Sequence, residues 1–487
     1  MTRRITIDPI TRLEGHGKID IFLDDNGNVE NAYFQVPEFR GFEKFCEGRA
    51  AEEMPALTQK ICGVCPTAHH TASSKTLDDL FKVRPPEAAK KIRELMYSAF
   101  MYEDHLLHFY ILAGPDFIMG PDASKEERNI LGVIKKVGVD IGKKVIDMRK
   151  RVRGVNATIS ASSLYPVCGL PGGISKPLKK EEVEEIKKVA KDAVEFAQFT
   201  LKLFDDVVLK NKTYLDLITG DIYYHQTYYM GLVDDNNKVN FYEGKIRVVD
   251  PNGNEFAKFD VHDYQKYVEE MAVPWSYLRI LYLRDVGWKG FVDGVDSGVY
   301  RVAPLARLNA SEGMATPLAH QEYEKMYSIL GKKPAHNTLA YHWARLVEVL
   351  YAAERMVELA SDPEILDPHV RNIPKKTPSE GIGVCEAPRG TLIHHYQTDE
   401  KGIIQKANLL VATQNNAAAI CMSIEKAARG LIKNGNVSEG ILDMIEMAFR
   451  AYDPCLACAT HSLPGEMPLI VRIYNTKNKL LKEIRRD

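Results

Sequence analysis

The chain has 487 residues, of which 45% are hydrophobic and 27% are charged, a composition typical of a globular protein with a large core. Its 64 basic and 66 acidic residues give a net charge of −2, which gives no indication of binding to nucleic acid or to an anionic membrane. No apolar run approaches the roughly 18 residues of a membrane helix, and the N-terminus turns polar too early for a signal peptide. We therefore expect no direct insertion into a membrane.

Strand patterns dominate the first 50 residues. Residues 5–7, 18–23 and 29–36 read as strands, and residues 24–28 form the turn between the last two. A polar loop over residues 11–16 interrupts the strands, and a second loop over 38–43 follows them. These patterns predict a β-rich N-terminal region over residues 1–50.

Helical periodicity dominates most of the remaining chain. Pro85 and Pro86 open a pattern that runs to about residue 113, and residues 180–210 carry one apolar stripe. Further helices are expected at residues 335–360, 403–434 and 437–451, whereas the small residues of 153–178 predict irregular structure.

The segment 213–260 departs from this helical pattern. It predicts a β-hairpin elaboration, with strands at 238–242 and 245–249 before a turn at 250–254. A strand is also expected at 468–474, within the tail 462–487. Together the patterns predict one α+β domain over residues 1–487, mainly α, with a core of long helices.

Two Cys-x-x-Cys pairs lie near opposite ends of the chain: Cys62 with Cys65, and Cys455 with Cys458. Four thiolates suit zinc, an iron–sulfur cluster or nickel. A structural zinc site is the usual interpretation of pairs at short separation, and a disulfide redox pair would need a thioredoxin-like setting. About 390 residues separate these pairs, so the whole chain must fold before the site exists. This favours a catalytic centre in the core and a reducing compartment.

Six segments resemble the large subunit of nickel–iron hydrogenases, and they follow that family's order along nearly the whole chain. They are residues 12–16, 40–43, 60–69, 304–307, 386–390 and 453–461. One departure is Lys60, where arginine is common in the family. Within the family, the sequence looks most like the cytoplasmic F420-non-reducing type.

The resemblance implies a nickel ion held by Cys62, Cys65, Cys455 and Cys458. Cys65 and Cys458 would also bridge to an iron that carries carbon monoxide and cyanide ligands. Soft thiolates suit nickel, and such a centre splits H2 heterolytically. The proton then needs a base, which by resemblance is Glu14 beside Cys455 or Cys458.

Further residues gain expected roles from the resemblance. Arg389 would lie above the iron, with Pro388 shaping the backbone and with Asp104 and Asp453 fixing the guanidinium. His69 follows Cys65 by one helical turn and would donate a hydrogen bond to a cysteine sulfur.

A magnesium site is also implied, with Glu43 and His461 as its ligands. Oxygen ligands and retained water suit magnesium, so this site would serve the proton path. The histidine ligand is unusual for magnesium and depends on the resemblance alone.

The chain lacks a further cysteine cluster for electron transfer, because Cys46, Cys168, Cys385 and Cys421 stand alone. We therefore expect an obligate iron–sulfur small subunit, and beyond it an additional iron–sulfur subunit and heterodisulfide reductase. An NAD(P)- or F420-linked cytoplasmic hydrogenase remains an alternative. A zinc scaffold is an alternative of another class, whereas complex I-type subunits lack the four cysteines.

Many members of the family are cleaved after the histidine that corresponds to His461. We expect the tail 462–487 to be retained here, because its strand pattern suggests a pairing partner.

Overall fold

The computed structural model describes residues 3–39, 41–124 and 126–460 and, as backbone strands, residues 469–474 and 480–486. Arg40 and His461 lie outside the described residues. Within the described part of the chain, no helix is long and apolar enough to cross a membrane.

Helices and strands alternate in blocks along the chain, as in an α+β protein. The helices are α1 (Phe42–Cys46), α2 (Met54–Thr58), α3 (Pro66–Leu80), α4 (Glu87–Leu107), α5 (Gly114–Ile118), α6 (Ile130–Val137), α7 (Val139–Ser160), α8 (Lys180–Phe204), α9 (Lys212–Thr219), α10 (Tyr264–Tyr267), α11 (Pro304–Ala310), α12 (Pro317–Leu330), α13 (Tyr341–Ser361), α14 (Ala412–Asn415), α15 (Ala417–Leu431), α16 (Glu439–Arg450) and α17 (Leu456–Ala459). The strands are β1 (Arg3–Ile7), β2 (Lys18–Leu23), β3 (Val29–Gln35), β4 (Gly169–Leu170), β5 (Gly173–Ile174), β6 (Tyr228–Val233), β7 (Lys245–Val249), β8 (Glu255–Phe259), β9 (Val268–Val273), β10 (Ser276–Leu283), β11 (Tyr300–Arg301), β12 (Glu380–Ala387), β13 (Gly390–Thr398), β14 (Ile404–Leu410), β15 (Leu469–Tyr474) and β16 (Leu480–Arg486).

The core is built on α13, which packs against both α4 and α8. Nearly every side chain of α13 from Tyr341 to Glu354 is buried, because the helix is apolar around most of its circumference. Helix α8 instead buries one stripe, which includes Val183, Ile186 and Val189. The mainly α, α+β fold class predicted from the sequence is confirmed.

Three antiparallel or mixed sheets surround this helical core. Strands β1, β2 and β3 form one sheet, β12, β13 and β14 form another, and the order of the third is β11-β6-β7-β8. The tight β12–β13 turn pairs Ala387 with Gly390, so Pro388 and Arg389 lie at its tip. In the tail, β15 pairs with β16, which confirms the strand predicted at 468–474.

Several sequence-based predictions of elements are wrong in part. Helix α7 extends to Ser160, because Val152, Val155 and Ile159 give it a buried face despite the small residues around them. Residues 404–410 form β14 rather than the start of a helix, since they pair with β13. Residues 238–242 form irregular structure, with Val239 making only isolated bridges. Residues 212–219 form α9 instead of β structure.

The other predicted elements are confirmed. The three N-terminal strands, the long helices that begin at 87 and 180, and the helices at 341–361 and 439–450 are all present. The first two long helices continue as wider π-helical turns, over His108–Ala113 and Asp205–Leu209. The turn at 250–254 joins β7 to β8. The division of the chain into one domain stays a prediction.

Glycine allows α3 to lie directly on β12. A Cβ atom on Gly383 would stand 2.5 Å from the Thr76 nitrogen and 2.6 Å from the Ala72 oxygen. A Cβ atom on Gly381 would stand 2.5 Å from the Leu80 nitrogen. Because these neighbours are backbone atoms of one helix, any side chain at either position would push α3 away from the sheet.

We expect Gly383→Ala to lower the stability of the protein by about 1–3 kcal/mol, the usual cost of overpacking a core. Thermal unfolding measures this effect. Gly154→Ala is the matched control, because this glycine lies in α7 with no atom within 4 Å of an added Cβ. The control should raise stability by about 0.5–1 kcal/mol, and an unchanged midpoint for Gly383→Ala would contradict the packing argument.

Candidate metal centre

The first cysteine pair lies in a tight loop that leads into α3. Cys65 is the N-terminal cap residue of that helix, and Pro66 is its first residue. The Cys62 sulfur accepts hydrogen bonds from the backbone nitrogens of Val64, at 3.2 Å, and Cys65, at 3.0 Å. These N–H groups and the helix N-terminus both favour a thiolate.

The second pair follows α16 at the other end of the described chain. Asp453 adopts a left-handed conformation with φ of 56°, which turns the backbone inwards after that helix. The Cys455 nitrogen then donates to the Thr413 hydroxyl at 3.0 Å, and Cys458 lies within α17. Both cysteines are buried.

The fold brings all four cysteine sulfurs together. They lie within 4.8 Å of one another, and among the described residues they are the one group of three or more Cys, His, Asp or Glu placed to hold a metal ion. Cys62 Sγ is 3.3 Å from Cys455 Sγ, and Cys65 Sγ is 3.6 Å from Cys458 Sγ. The Cα atoms of Cys455 and Cys458 are 5.5 Å apart, so both side chains of this pair reach the same site.

Positive charge is required to hold these sulfurs as thiolates. The hydrogen bond with Cys62 and burial raise the pKa of the Cys65 thiol well above its usual value. A soft metal cation among the four sulfurs would offset that cost, since metal binding displaces the thiol protons. The donor set therefore fits nickel, and all four predicted metal cysteines lie at one site.

Glu14 contacts the second cysteine pair through both its backbone and its side chain. Its backbone forms an isolated parallel bridge with Cys455, and its carbonyl accepts from the Leu456 nitrogen at 3.0 Å. Its Oε2 atom lies 3.0 Å from Cys455 Sγ and accepts from the Ala457 nitrogen at 3.1 Å. Gly15 has φ of 88° and allows this close approach. The half-buried carboxylate thus points at a cysteine sulfur.

Arg389 lies beside the cysteines with two carboxylates. Its guanidinium is 3.2 Å from Asp104 Oδ2, on α4, and 2.8 Å from Asp453 Oδ2. Burial opposes its charge, but Asp104, Asp453 and the nearby cysteines together raise the pKa of Arg389. Burial raises the pKa of Asp453, and Arg389 only partly offsets this. The predicted group of Arg389, Asp104 and Asp453 is therefore assembled next to the sulfurs.

A second arginine supports the turn that carries Arg389. Fully buried Arg307 lies 2.6 Å from Glu348 and 2.7 Å from Glu386, and it donates to the backbone oxygens of Ala387, at 2.9 Å, and Pro388, at 3.4 Å. Glu348 on α13 was not singled out in the sequence. Its position within the apolar pattern of a core helix was the available signal, because a buried glutamate needs a cationic partner.

His69 borders the same small cavity as Cys65, Arg389, Cys455 and Cys458. Its Nδ1 atom lies 3.1 Å from His394 Nε2, and His394 Nδ1 lies 2.6 Å from the Tyr396 hydroxyl. The sequence did not reveal this histidine pair, because the two rings come from α3 and β13 and lie 325 positions apart. The hydrogen bond expected from His69 to a cysteine sulfur stays a prediction.

The proposed magnesium ligands are described only in part. Glu43 lies in the first turn of α1, is half-buried, and accepts from the Leu409 nitrogen at 2.7 Å. His461 lies outside the described residues, although its neighbour Thr460 is fully buried beside α17.

Comparisons with known proteins agree with this geometry. A family model described as nickel-dependent hydrogenase matches residues 40–131 and 296–461, and a HoxL-like model matches residues 4–39. The chain is 50% identical over 484 residues to an iron-sulfur subunit of the F420-non-reducing hydrogenase of Archaeoglobus profundus, with 99% of each chain covered. It is 40% identical over 490 residues to a subunit of the F420-non-reducing hydrogenase of Methanothermobacter thermautotrophicus, covering 99% of this chain and 100% of that one.

A solved structure of an NAD+-reducing NiFe hydrogenase in the H2-reduced state superposes with a TM-score of 0.88. Its sequence is 34% identical, and the match covers 94% of this chain and 100% of that one. The chain belongs to the nickel-dependent hydrogenase family, so the resemblance inferred from its sequence motifs is confirmed.

Removal of one of the four sulfurs should abolish stable nickel binding. We expect Cys65→Ser to reduce bound nickel by roughly 100-fold or more, since even outer-shell changes cost 10- to 100-fold in metal affinity. Elemental analysis of the purified enzyme measures this loss. Cys421→Ala is the control, because this buried cysteine on α15 lies outside the group of four. Full nickel occupancy in Cys65→Ser would contradict the four-sulfur site.

Proposed function

We propose that this chain is the catalytic large subunit of a nickel–iron hydrogenase that interconverts H2 with protons and electrons. The convergence of four buried cysteine sulfurs with the Glu14 carboxylate carries this proposal. The bound nickel–iron centre would supply the redox chemistry by which H2 is cleaved. The residues of the chain would hold the metals, receive the proton and exclude water.

The four cysteines would hold the nickel, and Cys65 and Cys458 would also bridge to the iron. The 3.6 Å between the sulfurs of these two cysteines is compatible with a shared position at one side of the site. We further propose carbon monoxide and cyanide as ligands of the iron, and an infrared spectrum of the enzyme would reveal them. Magnesium at Glu43 and His461 is proposed on the resemblance, with the half-buried Glu43 carboxylate as its support.

Glu14 would take up a proton at Cys455 Sγ and pass it outwards. Two features suit it to this step: its Oε2 atom lies 3.0 Å from the sulfur, and the Ala457 N–H fixes the orientation of the carboxylate. Its half-buried position lets the side chain touch the buried sulfur while part of it stays accessible. A proton acceptor must lie within hydrogen-bond reach of its donor, and Glu14 satisfies this condition.

Arg389 would place a fixed positive charge beside the metals. Asp104 and Asp453 hold its guanidinium from two sides, and Arg307 holds the backbone of the turn that carries it. A buried cation held in this way needs no rearrangement when charge changes at the centre. Pro388 would act through the backbone conformation of that turn.

Electrons would leave through an iron–sulfur small subunit that docks near the first cysteine pair. Gly63, between Cys62 and Cys65, is exposed to solvent, so a partner could approach within two residues of the nickel ligands. The Lys60 amine lies 3.6 Å from the centre of the Tyr165 ring beside this loop, and the nearby Val167 is 63% exposed. Val167 would lie within this proposed contact.

Within the family, we propose the cytoplasmic F420-non-reducing type, with an additional iron–sulfur subunit and heterodisulfide reductase further along the electron path. The 50% and 40% identities to archaeal F420-non-reducing subunits exceed the 34% identity to the NAD+-reducing structure. An NAD(P)-linked enzyme is the alternative, supported by the TM-score of 0.88. Dye-free assays of the purified complex with each acceptor would separate the two.

We also propose that the tail over residues 462–487 is retained in the active enzyme.

Glu14→Gln should slow H2-dependent dye reduction by about 100-fold or more, because general acid–base groups contribute about 100- to 10,000-fold. The amide keeps the size of the side chain but cannot accept the proton. Nickel content and the infrared bands of the centre should stay as in the native enzyme. Glu30→Gln, an exposed glutamate on β3, is the control. Near-native turnover in Glu14→Gln would rule out this relay.

Val167→Arg should weaken the association of the large and small subunits. A charged side chain buried within the proposed contact is expected to cost about 2 kcal/mol or more, roughly a 30-fold loss of affinity. Co-purification of the two subunits measures the effect. Ile329→Arg on α12 is the control, since this residue is 41% exposed and lies on another element. Equal association of both variants would refute the assigned face.

A further inference from the structure

Three arginines and three carboxylates form a buried cluster behind the Glu14 loop. Its members, here called the arginine–carboxylate cluster, are Arg12, Arg128, Arg450, Asp116, Asp443 and Glu446. The side chains of Arg450, Asp116 and Asp443 are at most 1% exposed, and that of Arg12 is 13% exposed. The six charges balance, so the cluster is neutral when all members are ionised.

Arg12 belongs to the N-terminal loop and makes three contacts from it. Its guanidinium contacts Asp116, lies 3.1 Å from Asp443 Oδ1, and donates to the Leu112 oxygen at 2.8 Å. The backbone of Arg12 is left-handed, with φ of 56°. A side chain fixed at three points can hold such a backbone conformation in place.

Arg450 connects the same cluster to the second cysteine pair. It lies 2.6 Å from Asp116 and 2.5 Å from Glu446, and Glu446 also accepts from the Thr11 hydroxyl at 2.7 Å. Arg450 is the last residue of α16, the helix that leads to Cys455. Two segments therefore leave one cluster and meet again where Glu14 bridges to Cys455.

Buried charges are a costly way to join two segments. Replacing buried ion pairs with apolar residues is often neutral or stabilising. Stability alone is therefore a weak explanation for the presence of six charged side chains in this cluster. Geometry gives a stronger one, because arginine donates in several fixed directions and so determines distance and angle together.

We propose that the arginine–carboxylate cluster positions Glu14 against Cys455, with Arg12 as the positioning residue. This inference rests on the proposed relay function of Glu14. Arg12 lies two positions before Glu14 in the chain, so displacement of its guanidinium would move the carboxylate away from the sulfur. A misplacement of about 1 Å at a reacting group can cost on the order of 100-fold in rate.

The test uses the assembled enzyme with Arg12→Gln, Glu14→Gln and the double variant. Arg12→Gln should slow H2 oxidation and the exchange of H2 with D2O by roughly 10- to 100-fold. Its nickel content and infrared bands should match the native enzyme. The double variant should be no slower than Glu14→Gln alone, because Arg12 acts through Glu14. Arg4→Gln is the control, since Arg4 pairs with Asp20 at 2.7 Å on the partly exposed N-terminal sheet.

Separate results overturn the two proposals. Near-native exchange in Glu14→Gln overturns the relay itself. If exchange is slow in Glu14→Gln but native in Arg12→Gln, only the positioning role is overturned. The positioning role is also overturned if the effects of the two substitutions multiply in the double variant, or if Arg12→Gln loses nickel.

A second variant covers the case in which Arg12→Gln does not fold. Asp443→Asn keeps the size of the side chain but removes the charge that faces Arg12, at 3.1 Å, and Arg128, at 3.2 Å. It should show the same pattern of slowed exchange with native infrared bands. Arg12→Lys, which keeps the charge with fewer fixed donor directions, should retain more exchange than Arg12→Gln. If Asp443→Asn exchanges like the native enzyme, the positioning role is wrong.

Discussion

The site depends on the contact between the backbone of Glu14 and that of Cys455. This bridge and the adjacent hydrogen bonds to Leu456 and Ala457 join the N-terminal loop to the segment that carries the second cysteine pair. It places the Glu14 carboxylate 3.0 Å from the Cys455 sulfur, which also lies 3.3 Å from the Cys62 sulfur. Because Gly15 follows directly with a positive φ, the two backbones can approach more closely than side chains would allow.

The second constraint is electrostatic. The sulfurs lie in a core that also encloses Arg389, Arg307 and Glu348, and each of these charges has a charged partner within hydrogen-bond distance. An unpaired charge at this depth would be costly, so the groups are interdependent. His105 illustrates the result: burial lowers its pKa to about 4, so the neutral ring donates from Nε2 to Glu348 at neutral pH. The charges around the four sulfurs are thus set by the fold and not by the solvent.

The sequence predicted the parts of this arrangement that are carried by compact motifs. The four cysteines, Glu14 and Arg389 each lie in a short segment with a recognisable order of residues, and the structure brings them together. The long helices α4 and α8 were also predictable, because their apolar residues recur at helical spacing. Their predicted ends, at about residues 113 and 210, agree with the ends of the π-helical turns that extend both helices.

Features that arise from pairing between distant segments were not predictable in the same way. The strand β14 mixes polar and apolar residues in a way that also suits a helix, and only its pairing with β13 decides between the two. His394 carries no local signal, because its partner His69 comes from another element. Glu348 is marked only by its place in an apolar helix, which does not reveal Arg307 as its partner. The arginine–carboxylate cluster likewise joins an N-terminal loop to α16, and no periodicity within either segment predicts that contact.

The spacing of the two cysteine pairs has a consequence for how the protein is made. Cys62 and Cys455 are 393 positions apart, so a ribosome would release the first pair long before it has translated the second. Throughout that interval the nascent chain offers two thiols and no closed site. A polypeptide terminated before Cys455 would lack two of the four sulfurs, whatever portion of it had folded. A complete set of four sulfurs therefore exists only after synthesis has passed the second pair.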